Sequence, residues 1–395
     1  MRAFAARDSY VHHSRNTVNP MTTDVATTPV LFVGVISYNQ SGHLERRHSI
    51  RALHRPDPAV ELRFVMAEDE AQEDVSLGDV LLLPLPPRVN RRLVGQWLLK
   101  NAFLRYATAV RPSVRFIAKA DDDTAFNATA LALELSTLPP TMRHVVYGPV
   151  NVWFVYAPLA LTPVCWDSSP RRWAGARAQW VAAGRPHDTT DAPLDQCLRV
   201  GTVGPFPFAG GPFQAYSHAY AARLVAMLHA EEEYVLTNFS TAPIIHPRSG
   251  TVVQPTSKAH PANRLLIEDA HFGYMQRVGF DELDVVMIDA SMCSMVGRDK
   301  RNRWAGDQMC GGPLWRKELK GAADGRPQAM IHAHIYHNIK HPERWSYLKR
   351  HPELLERSAR PRLVCDEEEH SLGATMHAQQ GCCRRWRSCR FVQLP

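Results

Sequence analysis

The stretch VRFIAKADDDTAFN, residues 114–127, sets the reading of the whole chain. An apolar run with Phe116 and Ile117 at its centre ends abruptly in three consecutive carboxylates, Asp121, Asp122 and Asp123. A short continuous apolar run reads as a strand buried on both faces. Ligands of open α/β sheets gather outside the carboxyl ends of such strands, so acids placed there are placed for chemistry. Neighbouring carboxylates repel one another and are costly unless a cation or hydrogen-bond donors offset them. Oxygen-rich clusters suit hard divalent ions. Alternation along an extended chain lets Asp121 and Asp123 share one ion while Asp122 faces elsewhere. The competing reading is a solvated acidic turn, with Asp123 or Thr124 capping the next helix.

Working outward, the same strand character recurs at VLFVGVIS (30–37), ELRFVMA (61–67), DVLLLPL (79–85) and HVVYGPV (144–150). Helical signals lie between them. HLERRHSIRALHR (43–55) is one, and NRRLVGQWLLKNAFLRYATAV (90–110) carries Leu93, Trp97, Lys100, Leu104 and Ala107 at helical spacing before Pro112. Further along, SHAYAARLVAMLHA (217–230) and NRLLIEDAHFGYMQRVG (263–279) also read as helical. Alternation of this kind predicts an α/β fold with a mainly parallel central sheet flanked by helices. Residues 1–26 are polar and aperiodic and read as a disordered segment, 27–351 as the main domain, and 352–395 as a basic, cysteine-rich appendage.

Composition narrows the classes. In 395 residues, 45% are hydrophobic and 22% charged, which excludes general disorder, and 22 Gly with 29 Pro exclude a collagen-like chain. The net charge of +7 is spread along the chain without an aromatic–basic nucleic-acid motif, and an anionic small molecule explains it as well. Eight cysteines form no C-x-x-C pair, so a zinc ribbon is not expected; their even number fits a disulfide set without proving one. The N-terminal residues carry no signal-peptide core or membrane anchor. Val145 to Trp166 is free of charge for 22 residues, but Gly148, Pro149, Pro158 and Pro163 make it a strand leading into a loop.

Three other constellations bear on chemistry. Glu268-Asp269 follows an apolar shoulder, where a carboxyl can be raised toward a general base, or it is simply a first-turn acid pair of a helix. IHAHIYHNIKHPERW brings His332, His334, His337 and His341, a composition frequent in metal sites. FPFAGGPFQAYS (206–217) offers Gly210 and Gly211 for close backbone approach, and Phe206, Phe208 and Phe213 as faces for a sugar, or else a tight turn. No P-loop or dinucleotide fingerprint is present.

Taken in order, these pieces resemble the galactosyltransferase family of β-1,3-galactosyl- and β-1,3-N-acetylglucosaminyltransferases and Fringe-type enzymes. The family's opening arginine motif is matched by Arg46, Arg47, Ile50 and Arg51. Glu73 to Leu81, with Asp79, and Leu98-Leu99-Lys100-Asn101 match the next two stretches. The K-x-D-D-D motif falls on Lys119 and Asp121 to Asp123, and the aromatic, Gly-rich pattern on Phe206 to Ser217. The E-D-V-Y-x-G motif corresponds to Glu268, Asp269, Ala270, His271, Phe272 and Gly273, and the C-terminal His to His337, with Lys340 and Glu343 following. The departures are Ala270 and His271 for Val and Tyr, Phe126 one place late, and Pro212-Phe213 continuing the glycine run.

The resemblance implies a GT-A-type glycosyltransferase fold and an inverting hexosyltransferase that moves Gal or GlcNAc from UDP-Gal or UDP-GlcNAc to a glycan hydroxyl. It implies Mn²⁺ or another divalent cation on Asp121, Asp123 and His337, and Asp269 as the catalytic base. Donor contacts fall to Arg47, Arg51, Lys100, Asp121, Asp122, Gly210, Gly211 and Glu268. The expected partners are the UDP-sugar and a glycan or glycoconjugate acceptor, with no nucleic acid, and a membrane only through an anchor this sequence does not show. The expected location is the Golgi or secretory lumen. Two other readings are a non-catalytic sugar- or UDP-binding pseudoenzyme and a metal-dependent phosphohydrolase.

Overall fold

The computed structural model describes residues 28–40, 42–70, 77–86, 91–153, 206–238, 244–245, 252–253, 268–280, 284–290, 292–295, 308–310, 335–337, 339, 342–350, 361–365 and 387–393. The N-terminal segment 1–26 and His332, His334 and His341 lie outside them. The amino-terminal half runs β1 (Leu31–Ile36), α1 (His43–Leu53), β2 (Val60–Ala67), β3 (Val80–Leu83), α2 (Arg91–Val110) and β4 (Phe116–Asp121). Next come β5 (Ala125–Phe126), α3 (Ala128–Ser136), β6 (His144–Gly148), β7 (Val150–Trp153), β8 (Phe206–Ala209), β9 (Phe213–Ser217) and α4 (His218–Asn238). Beyond these are β10 (Ile244–Ile245), β11 (Val252–Val253), α5 (Glu268–Gly279), β12 (Val285–Asp289), β13 (Met292–Met295) and β14 (Gln308–Cys310). The last are β15 (Ile335–His337), α6 (Pro342–Arg350), β16 (Pro361–Cys365) and β17 (Arg387–Gln393).

The principal sheet has nine strands in the order β16-β17-β12-β6-β9-β4-β1-β2-β3. It is mainly parallel: β1 pairs in parallel with β2 and β4, β2 with β3, and β12 with β6 and β17. Strands β9 and β16 are the exceptions: β9 lies antiparallel to β4 on one side and β6 on the other, and β16 antiparallel to β17. The expected α/β architecture is therefore present. The C-terminal segment read as an appendage contributes β16 and β17, so its arginine-rich sequence completes one edge of this sheet.

Two apolar cores follow from the period of two along the strands. On β1, Leu31, Val33 and Val35 face one core, which also takes Ile50 of α1, Leu131 and Leu135 of α3, and Trp345 and Leu348 of α6. Phe32 and Ile36 face the other, with Trp97 and Phe103 of α2, Leu224 of α4, and Phe272 and Met275 of α5. Burial on both faces explains why these strands are uninterrupted apolar runs. Gly34 lies on the face of Phe32 and Ile36, and a Cβ built there would stand 2.5 Å from the Phe103 ring. Gly34→Ala should therefore cost about 1–3 kcal/mol through overpacking, measured as a lower urea midpoint with an unchanged slope.

Helix α3 starts where Asn127 accepts the Ala130 N–H at 3.0 Å. Neither Asp123 nor Thr124 is its cap. The capping explanation for the acidic cluster is thereby corrected: the two-residue strand β5 separates the acids from the helix. The short sheet β14-β13-β15-β5 places β15 antiparallel to β5, with Tyr336 opposite Ala125.

Candidate active site

Asp121 ends β4, and its register partner is Ile36, the last residue of β1. The acids thus stand at the carboxyl ends of two adjacent parallel strands, as strand polarity requires of a ligand site. The Asp121 N–H donates to the Pro212 carbonyl at 3.0 Å, which docks the Gly210–Pro212 turn against the strand end. From the other side, the Ile339 N–H donates to the Asp123 carbonyl at 2.9 Å. That bond brings the backbone just after His337 to the acidic triad; the His337 side chain is outside the described residues.

A buried lysine joins the two acidic motifs. Lys119 Nζ sits 2.7 Å from Asp121 Oδ1 and 3.8 Å from Glu268 Oε2, and donates to the Gly211 carbonyl at 2.8 Å. Burial works against its charge, but Asp121, Glu268 and Asp269 together outweigh burial and hold the ammonium well above the ordinary lysine value. Lys100, also fully buried, lies 2.6 Å from Glu268 Oε1 and 3.6 Å from the centre of the Phe272 ring, and donates to Gln214 Oε1. Burial lowers its pKa against the pull of Glu268 and Asp269.

The acid pair at the start of α5 divides its roles. Burial favours the neutral form of Glu268, yet Lys100 and Lys119 outweigh it and hold this carboxyl down at about 2. Asp269 moves the other way. Burial, then the charge of Glu268 and a hydrogen bond with it, raise Asp269 well above the ordinary carboxylate range. Two lysines thus face Asp121 and Glu268, and Asp269 is the acid of the pair whose charge the site opposes. Gln214 orients that group: its Nε2 donates to Asp269 Oδ1 at 3.0 Å and to the Ala209 carbonyl at 2.6 Å. A Cβ on Gly211 would stand 2.7 Å from Asp269 Oδ2, so glycine is the residue that lets the turn lie against this carboxyl.

Asp122 is held differently from its neighbours. It accepts from Ser37 Oγ at 2.7 Å and Arg46 at 3.0 Å, and His43 Nδ1 lies 2.5 Å from it. Both of its oxygens take protein partners, which tie it to the end of β1 and the first turn of α1. Arg47 is fully buried and donates to Ser37 Oγ at 2.9 Å and the Tyr38 carbonyl at 3.1 Å. Arg51 makes a two-pronged pair with Asp79, at 2.7 and 2.9 Å, and lies over the Phe64 ring. Through these contacts the two arginines brace α1 against the sheet. Arg51→Ala is accordingly expected to lower unfolding free energy by about 1–3 kcal/mol. Calorimetric titration should find its UDP affinity unchanged.

Of the other expected site residues, Asp121, Glu268, Asp269, Lys100 and Gly211 come together; Gly210 holds the same turn through its N–H to the Pro149 carbonyl at 2.8 Å. Phe206, Phe208 and Phe213 are all buried: Phe206 and Phe208 lie against α5 at Gly273, and Phe213, within the nine-stranded sheet, packs on Phe126. Gln214, Ser37, His43 and Gln96, whose Nε2 donates to Asp121 Oδ1 at 2.8 Å, were not foreseen. A lone Gln in the apolar run FQAYS is the one available signal. Among the described residues, no three His, Cys, Asp or Glu groups are gathered to hold a metal ion. No helix among them is long and apolar enough to cross a membrane.

No protein-family model matches the chain, and no curated protein sequence matches it. Solved structures do. Mouse xyloside xylosyltransferase 1 in its apo form is similar at 11% identity and a TM-score of 0.33, over 78% of this chain and 97% of that one. The galactosyltransferase LgtC, solved with donor and acceptor sugar analogues, is similar at 9% identity and a TM-score of 0.35, over 81% and 95%. A mannose-1-phosphate geranyltransferase from Thermus thermophilus is similar at 12% identity and a TM-score of 0.26, over 54% and 66%. At these scores the likenesses are similarity alone, and no donor, acceptor or metal follows from them.

Proposed function

We propose that this chain is a glycosyltransferase of GT-A type, an inverting hexosyltransferase that moves Gal or GlcNAc from a UDP-sugar to a glycan hydroxyl, forming a β-1,3 linkage. The observation that supports it most is the bridge made by Lys119. Two acidic motifs far apart in sequence, Asp121 and Glu268-Asp269, meet on one lysine beside a glycine turn at the carboxyl ends of parallel strands. The ordered motif resemblance supplies the reaction class.

Asp121 suits a divalent cation, while the described residues by themselves gather no complete ligand set. Burial first, with Glu268 and Asp123 adding and Lys119 opposing, pushes Asp121 up to about 6, so this carboxyl is short of positive charge. Its Oδ1 takes Lys119 and Gln96, and among the described residues Oδ2 receives no hydrogen bond. Asp121 and Asp123, with His337 on β15, would hold Mn²⁺ or a similar ion. The chemistry such an ion supplies when bound is neutralisation of the departing diphosphate.

Asp269 takes the proton from the acceptor hydroxyl as that oxygen attacks the anomeric carbon opposite the leaving UDP. A single displacement turns an α-linked donor into a β-linked product. Gln214 fixes the orientation of the carboxyl, and the Gly211 turn leaves room beside it. The secretory lumen is the proposed setting. The test is UDP release from a panel of UDP-hexoses with Mn²⁺ and candidate glycan acceptors. Acceptor-dependent release is expected with one of them. UDP binding without turnover on any acceptor would leave a binding protein, and phosphate release from simple esters would point to a hydrolase.

A further inference from the structure

The geometry points to two disulfide bonds, Cys293–Cys310 and Cys365–Cys389. In the antiparallel ladder of β13 and β14, Cys293 is the direct register partner of Cys310. In the separate antiparallel ladder of β16 and β17, Cys365 is the direct register partner of Cys389. Directly opposed residues of antiparallel strands have Cβ atoms about 4.5–5.5 Å apart and Cα atoms about 4.5–5.5 Å apart. Disulfides span Cα separations of about 4.4–6.8 Å and Cβ separations of about 3.5–4.5 Å, so directly opposed positions meet the first range and reach the second with a small closing of the pair. Only eight cysteines occur in 395 residues, so two independent ladders each setting one cysteine against another is not a compositional effect.

Each bond forms by thiol–disulfide exchange with a small or protein disulfide. One cysteine thiolate attacks the oxidant and releases one thiol. The second cysteine then attacks the mixed disulfide, closing the Sγ–Sγ bond and releasing the other thiol. Two protein thiols are oxidised and one disulfide is reduced to two thiols. The two bonds have different tasks. Cys293–Cys310 ties β14 to β13, the strand that carries β15 and hence His337 and the β5 edge of the acidic triad. Cys365–Cys389 ties the outermost strand β16 to β17, which pairs with β12. This inference does not depend on the transferase reading.

The full chain, incubated folded with reduced and oxidised glutathione, is alkylated, digested without reduction and mapped by mass spectrometry. The expected result is two linked peptide pairs, 293 with 310 and 365 with 389, that separate on reduction. Alkylated thiols at any of the four positions under oxidising buffer, or linkage to other cysteines, would overturn the inference for that pair. Dithiothreitol should lower the Tm of the oxidised protein by roughly 3–6 °C per bond. The paired variants Cys293→Ser/Cys310→Ser and Cys365→Ser/Cys389→Ser should each start lower and lose that part of the reductant response. A Tm insensitive to dithiothreitol would also overturn it.

Discussion

Asp269→Asn is expected to cut sugar transfer by about a hundred- to ten-thousand-fold, the range a positioned general base contributes, while UDP binding in the presence of Mn²⁺ stays at the parent level. The amide matches the carboxyl in shape and still reaches Gln214, which lies 3.0 Å from Oδ1, so the fold of the site survives. What disappears is the ability to take a proton. The parent should also show a characteristic pH dependence. Burial and the Glu268 charge raise Asp269 well above the ordinary carboxylate range. Only its ionised form accepts a proton, so kcat/KM rises as pH climbs through that raised value and falls below it. The residual activity of the asparagine variant should lack this acid limb. Transfer at the parent rate would remove Asp269 from the mechanism; loss of UDP binding together with transfer would show that its role is structural.

Lys119→Met is expected to destabilise the protein by about 3–5 kcal/mol, the usual consequence of removing one partner from a buried ionic cluster. Methionine fills the stem volume but leaves Asp121 and Glu268 facing each other across the site without the ammonium between them. A lysine raised in the folded state gives its full stability at and below the ordinary lysine range, so in the parent this contribution is constant from about pH 5 to 8. In the variant the two carboxyls can relieve their repulsion by taking up protons. The deficit should therefore shrink as pH falls, read from urea unfolding at about pH 7.5 and about pH 5.5. A deficit independent of pH would mean that lost packing, not lost charge, is responsible.

Much of the scaffold was readable because it is local. VLFVGVIS and VRFIAKA are strands because buried parallel strands have no polar face to break the run; α1 and α2 begin and end close to their expected bounds, and α5 ends at the expected Gly279. Lys100 falls among the recurring positions of α2, and it does lie on the buried side, but nothing nearby in sequence announces that Glu268 lies 2.6 Å away. Asp122 shows the limit most clearly. Its three donors come from the end of β1 and the first turn of α1, some eighty positions earlier, so its occupied state is a tertiary fact. The tail RSCRFVQ was equally opaque. Its arginines suggest a solvated segment, and its strand state comes from pairing with β12 a hundred positions before.

The antiparallel strand β9 has a kinetic consequence. Strand β1 meets β2 after 29 positions and β2 meets β3 after 16, whereas β4 meets β1 after 85, β12 meets β6 after 141, and β9 meets β4 after about a hundred. Closing distant pairs is slow because loop entropy is lost before contacts form. Strands β1, β2 and β3 should thus gain amide-exchange protection early during refolding, and β9 should gain it later than they do. Because Gln214 and the glycine turn ride on or beside that strand, the acidic end of β4 would wait, solvated and inert, until β9 arrives.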